Sequence, residues 1–162
     1  MIAHQTLADG HVAKNPFAVL TQGKFDAPVP VNVGLSAVSI EGARKNLEAE
    51  LPGWDFDAAR KQAEVTWDKE LGRIQVQGGT IDQQRIFYTA LYHSLLVPYI
   101  FNDVDRKYRG NDGKVRTADH DEYTVFSLWD TFRAEHPLFT ILEPERTVDF
   151  IKTFLDIYSQ TG

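Results

Sequence analysis

An amphipathic helical pattern over residues 145–158 is the feature that most constrains the fold of this chain. Apolar residues recur there every three or four positions, which is the period of an α-helix with one buried face. The same kind of spacing predicts helices over residues 41–50 and 57–71, and a further helix that starts after Thr80. Thr80 and Gln83 have the spacing of a capping box, in which two side chains bind the first N–H groups of a helix. The chain is therefore predicted to be mainly α-helical.

Short strands and loops are predicted to connect these helices. Residues 31–40 alternate with the period of a β-strand, and residues 74–77 repeat this alternation briefly. Residues 102–121 are polar and contain an Asn-Asp-Gly turn signal, which predicts a hairpin or a long loop. The chain is predicted to become helical again near Ser127 and to bend or break at 136–137, where a proline follows a histidine. The residues before the first strand are interpreted as loop and weak strand.

Composition excludes several classes of protein. The chain has 162 residues, with 17 Lys and Arg against 23 Asp and Glu, and this net charge of −6 argues against a protein that coats nucleic acid. No apolar run approaches the roughly 20 residues that a membrane span needs, and the N-terminus lacks the pattern of a signal peptide. The absence of cysteine excludes disulfides, thiolate zinc sites and a cysteine nucleophile. Aromatic residues reach 12%, and they are expected mainly in a core, with stacking on sugars or bases as the alternative.

No metal site is predicted from the sequence. The five histidines are scattered, and none forms an HExxH pair. Residues 103–108 begin like a calcium loop, but Tyr108 stands where that loop needs glycine. Residues 119–122 are interpreted as a solvated, charged loop. His93 lies on an aromatic-rich helix, where a half-buried structural histidine is favoured over a ligand contact.

The candidate site is the cluster of Trp129, Asp130 and Arg133. On a helix these positions are spaced so that all three side chains share one end of a face. An indole stacks on the C–H face of a sugar ring, while a carboxylate and a guanidinium make charge-assisted hydrogen bonds to vicinal hydroxyl groups. The alternative is structural: an internal Asp130–Arg133 ion pair with Trp129 in the core. Composition and spacing alone favour the structural alternative.

Five sequence blocks in order carry a further signal, and they are Val33–Ser36, Ser39–Glu50, Trp67–Leu71, Phe87–Ser94, and Phe126–Arg133 with His136–Leu138. Together they resemble glycoside hydrolase family 92 α-mannosidases. The resemblance covers about residues 31–158, and its last block matches the WDxxR motif of that family. The resemblance implies that Trp129, Asp130 and Arg133 bind sugar, and that the Phe87–Ser94 block packs structurally.

The resemblance also implies an architecture, namely an N-terminal β-sandwich, linker helices and an (α/α)6 barrel. Residues 1–40 would be the tail of the sandwich, residues 41–75 the linker helices, and residues 76–162 the first part of the barrel. Twelve barrel helices of about 12 residues each do not fit into that length. Gly162 also stands where a C-cap glycine leads into a next element. The chain is therefore expected to be an incomplete segment of a larger enzyme.

The implied activity is calcium-dependent, inverting exo-hydrolysis of α-linked mannose, with α-1,2 linkages expected. The resemblance places the catalytic acid, the catalytic base and most calcium ligands in later segments, so no catalytic residue is assigned and the isolated chain is expected to be inactive. The implied partners are a mannose-containing glycan and the rest of the parent polypeptide, which is expected to be an exported bacterial glycan-degrading enzyme. The alternatives are a non-catalytic carbohydrate-binding or helical interaction module, and another (α/α)6 glycosidase.

Overall fold

The structure is a computed structural model that describes residues 30–162 and consists mainly of helices. The predicted loop and weak strand before residue 30, and most of the predicted sandwich tail at 1–40, lie outside the described residues. Within the described residues the elements are α1 (Ile40–Glu50), α2 (Phe56–Leu71), α3 (Ile81–Ser94), β1 (Tyr99–Ile100), β2 (Lys107–Arg109), β3 (Val115–Thr117), β4 (Tyr123–Thr124), α4 (Leu128–Thr131), α5 (Glu135–Leu142) and α6 (Pro144–Thr161). None of these helices has both the length and the hydrophobicity that a membrane crossing requires.

Side-chain caps explain where the first three helices begin. The Ser39 hydroxyl accepts from the N–H of the third residue of α1, and the Asp55 carboxylate accepts from that of α2. Thr80 and Gln83 form both bonds of the predicted capping box at the start of α3. Each cap satisfies an N–H group that has no partner inside the helix. Pro144 occupies the first turn of α6, where the missing N–H costs nothing. The four predicted helices are confirmed.

The strand predictions are partly wrong. Residues 31–39 and residues 74–77 are irregular, although both segments lie in the described part of the chain. Alternation favours a strand only when a neighbouring strand takes up its backbone hydrogen bonds, and these segments pair with none of the described strands. The side chains of Val33 and Leu35 are accordingly 70% and 78% exposed.

The polar segment after α3 forms a hairpin, as predicted. β2 pairs antiparallel with β3, and β1 pairs antiparallel with β4, which brackets the hairpin. The last turn of α6 holds this hairpin through one side chain. Gln160 donates from its Nε2 to the Tyr108 hydroxyl at 3.0 Å and accepts from the Asn111 backbone N–H at 2.9 Å. The hairpin is therefore fixed to a helix that lies far along the chain.

The break between the helices near residue 130 comes earlier than predicted. α4 ends at Thr131, and Ala134 has φ −138° and ψ −42° before α5 begins at Glu135. The expected break at 136–137 is wrong because Pro137 is the third residue of α5. A proline in the first turn of a helix loses no intrahelical hydrogen bond, so it is tolerated there.

The core is a group of aromatic rings between α5, α6 and β4. Phe139 is fully buried, and Phe150 and Tyr123 are nearly so. The ring of Phe150 meets Tyr123 at 4.7 Å and Phe139 at 5.8 Å between centroids, both edge to face. Such pairs stabilise beyond the burial of their area. The expected core role of aromatic residues holds for these three rings, whereas Trp54 and Phe56 are 64% and 73% exposed.

A buried carboxylate joins α1 to the loop before β2. Asp103 is 2% exposed, and its two oxygens accept from the Ser36 hydroxyl at 2.7 Å and from Asn46 Nδ2 at 2.8 Å. Asn46 also donates to the Leu35 carbonyl at 2.8 Å and accepts from the Val104 N–H at 2.9 Å. Because buried charges require hydrogen-bond partners, this network fixes the position of α1.

Candidate functional site

The predicted site residues lie at the surface on and after the short helix α4. Trp129 is 81% exposed, and Asp130 and Arg133 are also exposed. The Ser127 hydroxyl donates to one Asp130 carboxylate oxygen, and the Asp130 N–H donates to the Ser127 carbonyl at 3.0 Å. These bonds hold the Asp130 side chain at the start of α4.

Arg133 does not continue the helical face that the spacing predicts. α4 ends at Thr131, so Arg133 follows in a turn, and its guanidinium carbon lies 5.4 Å from the centroid of the Phe132 ring. Among the described residues Arg133 forms no ion pair with Asp130 within 4.0 Å. Within the described residues, Trp129 is thus not buried and the internal ion pair of the structural alternative does not form. An exposed indole, a carboxylate and a guanidinium within five residues have the chemistry to stack on a ring and bind its hydroxyl groups.

The Phe87–Ser94 block has the packing role that the sequence predicts for its tyrosine. The Tyr92 ring contacts the Trp67 ring at 4.5 Å between centroids, which joins α3 to α2. His93, predicted to be half-buried, is exposed instead.

A charged cleft of about 410 Å³ lies where the end of α2 meets the start of α6. Arg73 Nε contacts Glu70 at 2.7 Å, and its Nη1 contacts Glu143 at 3.3 Å and donates to the Leu142 carbonyl at 2.8 Å. The hydrogen bond to Glu70 raises the pKa of Arg73 above its ordinary value. Arg73 thus contacts three protein groups and joins the end of α2 to the start of α6.

A cluster of possible metal ligands is formed by residues other than Trp129, Asp130 and Arg133. His120, Glu122 and Asp156 each offer an atom, and these atoms lie within 4.8 Å of one another. The interpretation of 119–122 as a solvated loop is wrong for His120 and Glu122, which are 7% and 3% exposed. The sequence carries no local signal that brings His120 and Glu122 to Asp156, which lies on α6.

The described residues do not fit the calcium ion that the resemblance implies. Calcium takes six to eight oxygen ligands, and the cluster just described contains an imidazole. In the segment that resembles a calcium loop, both Asp103 oxygens are engaged, and Asp105 pairs with Lys45 and Lys107 at 3.1 Å. The two lysines lower the pKa of Asp105.

Comparison with known proteins identifies the family. The profile of the glycosyl hydrolase family 92 catalytic domain matches residues 42–162. The chain therefore belongs to glycosyl hydrolase family 92, as the sequence blocks indicated.

Solved structures and a curated relative agree with this assignment. The fold matches the family GH92 α-mannosidase BT3965 from Bacteroides thetaiotaomicron with a TM-score of 0.74 and 41% identity over 78% of this chain and 17% of that chain. BT3965 has also been solved in complex with mannoimidazole. The GH92 family glycosyl hydrolase CcMan5 matches with a TM-score of 0.71 and 30% identity over 77% of this chain and 18% of that one. An uncharacterized secreted glycosidase of Arthroderma benhamiae is 40% identical over 74 residues, which are 43% of this chain and 10% of that protein. The chain thus spans less than a fifth of each of these relatives.

Proposed function

We propose that this chain is a segment of an α-mannosidase that removes mannose from glycans, and that it carries part of the sugar-binding site. The observation that supports this most directly is the 41% identity to a family 92 α-mannosidase over 78% of the chain. The complex of that relative with mannoimidazole supports mannose as the sugar. In this proposal the parent is an exported enzyme, in keeping with the secreted glycosidase among its relatives.

The proposed architecture is a β-sandwich tail at 1–40, linker helices at 41–75 and the first helices of an (α/α)6 barrel at 76–162. Exposed apolar side chains along α6 support it. Val148, Ile151, Leu155 and Tyr158 are 51–71% exposed, and their spacing places them on one face of the helix. We propose that further barrel helices of the parent cover this face.

The proposed chemistry is inverting hydrolysis of α-1,2-linked mannose. A carboxylic acid protonates the leaving oxygen while a carboxylate activates water on the opposite face of the sugar. We assign both groups, and the ligands of the proposed calcium ion, to parts of the parent beyond this chain. The chain itself contributes Trp129, Asp130 and Arg133, which stack on the mannose ring and bind its hydroxyl groups.

Activity assays on the parent enzyme and on the isolated chain test this proposal. With α-1,2-mannobiose and calcium, we expect the parent to release mannose with inversion and the isolated 162-residue chain to release none. Activity of the isolated chain would contradict the assignment of the acid and base to other segments. A parent that binds mannosides without cleaving them would favour the alternative of a carbohydrate-binding module.

A pair of matched variants tests the sugar-binding residues. Asp82 and Arg85 on α3 have the same spacing as Asp130 and Arg133, and they form an exposed ion pair at 3.3 Å. In the parent we expect Asp130→Ala to lower kcat/KM by at least tenfold, because a charge-assisted hydrogen bond to the sugar is lost. Asp82→Ala should leave kcat/KM within twofold of the parent value. Equal effects of the two variants would refute the role of Asp130.

A further inference from the structure

Three metal-ligating side chains converge where the segment between β3 and β4 meets α6. His120 Nε2 lies 3.5 Å from Glu122 Oε1 and 3.7 Å from Asp156 Oδ2. The side chains of His120 and Glu122 are 5% and 4% exposed, and that of Asp156 is 37% exposed. The cluster is thus sealed on the side of the loop and partly open on the side of the helix.

Two atoms of this cluster are buried without a hydrogen-bond partner among the described residues. They are His120 Nε2 and Glu122 Oε1, and they face each other. Buried polar atoms are nearly always paired, so two unpaired atoms that face each other indicate a bound group between them. The other ring nitrogen of His120, Nδ1, lies 2.9 Å from an oxygen of the exposed Asp119 carboxylate.

The contact between His120 Nδ1 and Asp119 determines what the cluster can bind. In the tautomer that carries its proton on Nδ1, directed at Asp119, the imidazole turns the lone pair of Nε2 toward the oxygens of Glu122 and Asp156. Three electron-pair donors then converge on one point, and they repel one another unless a cation lies between them. A histidine that donates its second N–H to a carboxylate is also the usual arrangement around a protein-bound metal ion.

The surroundings of the cluster carry an excess of negative charge. Three carboxylates, those of Asp119, Glu122 and Asp156, lie within 3.7 Å of the His120 ring nitrogens. Among the described residues, Arg116 is paired with Asp112 at 2.5 Å and Lys152 with Asp149 at 3.5 Å. The environment therefore favours a bound cation.

We propose that His120, Glu122 and Asp156 bind a zinc-class divalent ion, with water in the fourth position. Zinc binds histidine nitrogen and carboxylate oxygen at about 2.0–2.2 Å, so two ligands of a tetrahedral site lie about 3.4 Å apart. The observed separations of 3.5 and 3.7 Å match this value closely. Calcium is a poorer match, because it prefers all-oxygen sites with more ligands.

The ion would have a structural role. It would join the segment that precedes β4 to α6, next to the aromatic core that contains Tyr123 and Phe150. The site is independent of the proposed sugar-binding residues, so its failure would leave the proposed function untouched.

Zinc titration of the metal-free 162-residue chain tests the proposal. We expect calorimetry to give one zinc ion per chain with a Kd at or below the micromolar range, a rise in Tm of several degrees, and binding of calcium at least 100-fold weaker. Glu122→Gln and Asp156→Asn should each weaken zinc binding at least tenfold. The control Asp149→Asn, on the same helix, should leave it unchanged. Absence of micromolar zinc binding, equal binding by all variants, or a preference for calcium would overturn the proposal.

X-ray absorption of the zinc-loaded unmodified chain provides a second measurement. Because it uses no variant, it does not depend on whether the variants fold. We expect a shell of nitrogen and oxygen ligands at about 2.0 Å that contains one imidazole. Two or more imidazoles would show that the ion binds other histidines, and this would overturn the proposed site.

Discussion

Asn46→Asp is the substitution that most directly tests the network around Asp103. The Asn46 amide donates to Asp103 and to the Leu35 carbonyl, and its oxygen accepts from the Val104 N–H. An aspartate keeps the acceptor but loses both donors, and it places a second carboxylate beside a residue that is 2% exposed. The change is nearly isosteric, so its effect is electrostatic.

The expected magnitude follows from these contacts. Hydrogen bonds to charged groups contribute about 1.5–3 kcal/mol and neutral ones about 1 kcal/mol. Water can replace the two neutral bonds of Asn46, which are exposed, so Asn46→Ala should destabilise the chain by about 2–3 kcal/mol, mainly through the lost bond to Asp103. Two charges 4 Å apart repel by about 4 kcal/mol at the effective dielectric near a protein surface. Movement of the partly buried side chain and access of water reduce this repulsion. Asn46→Asp should therefore destabilise by about 3–5 kcal/mol at pH 7.

Urea unfolding followed by tryptophan fluorescence and far-UV circular dichroism measures these changes in the free energy of unfolding. The control is Asn32→Asp, because the Asn32 amide donates only to the Gly53 carbonyl in an exposed contact at 3.0 Å, and it should cost about 1 kcal/mol or less. The excess penalty of Asn46→Asp over Asn46→Ala should shrink near pH 4, where carboxyl groups take up protons. An Asn46→Asp variant that is as stable as Asn46→Ala at pH 7 would refute the reasoning.

Three further predictions concern packing and pH. Phe139→Ala should destabilise by about 3–5 kcal/mol because Phe139 is fully buried, whereas Ile141→Ala, at a side chain 77% exposed, should change stability by less than about 0.5 kcal/mol in the same urea assay. Gly42→Ala should destabilise by about 1–3 kcal/mol, because the added Cβ would lie 2.3 Å from the Asp103 carboxylate. The control Gly53→Ala, whose Cβ would have no described atom within 4 Å, should leave the stability unchanged. Equal Tm values of the two variants would contradict this. Burial lowers the pKa of His136, so the stability that the neutral ring confers is complete above its ordinary value of 6.5 and is lost as pH falls through that value toward the lower folded pKa. His136→Phe should therefore lose less in Tm than the unmodified chain between pH 7 and pH 5, and identical pH profiles would disprove the effect.

Local sequence signals predicted the helices well because their causes are local. The capping box of Thr80 and Gln83 and the proline at the start of α6 act within one turn, and both appear as expected. The prediction of a strand at 31–40 failed because a strand depends on a distant partner that alternation does not specify. The predicted position of the helix break was also wrong, since a proline ends a helix only when it stands beyond the first turn.

The same distinction between local and tertiary causes applies to the candidate site. Residue types and spacing named Trp129, Asp130 and Arg133 as candidates, and the resemblance to family 92 favoured a sugar-binding role, which stays a prediction. The exposure of the indole depends on tertiary packing. The cluster of His120, Glu122 and Asp156 was missed because its members are brought together by the docking of a loop on α6. Charge runs in a sequence usually indicate solvated loops, and only the fold reveals that two members of this run are buried.

The attachment of the hairpin to Gln160 has a consequence for folding during synthesis. Asn111 and Gln160 are separated by 49 positions, whereas the β2–β3 hairpin is local and can form within microseconds. At a translation rate of about 5–20 residues per second, the ribosome needs roughly 2–10 s to add the intervening chain. During that interval the hairpin can form but has no helix on which to dock, and an isolated two-stranded hairpin is only marginally stable. The slow event in assembling this part of the fold is therefore the arrival of the last turn of α6.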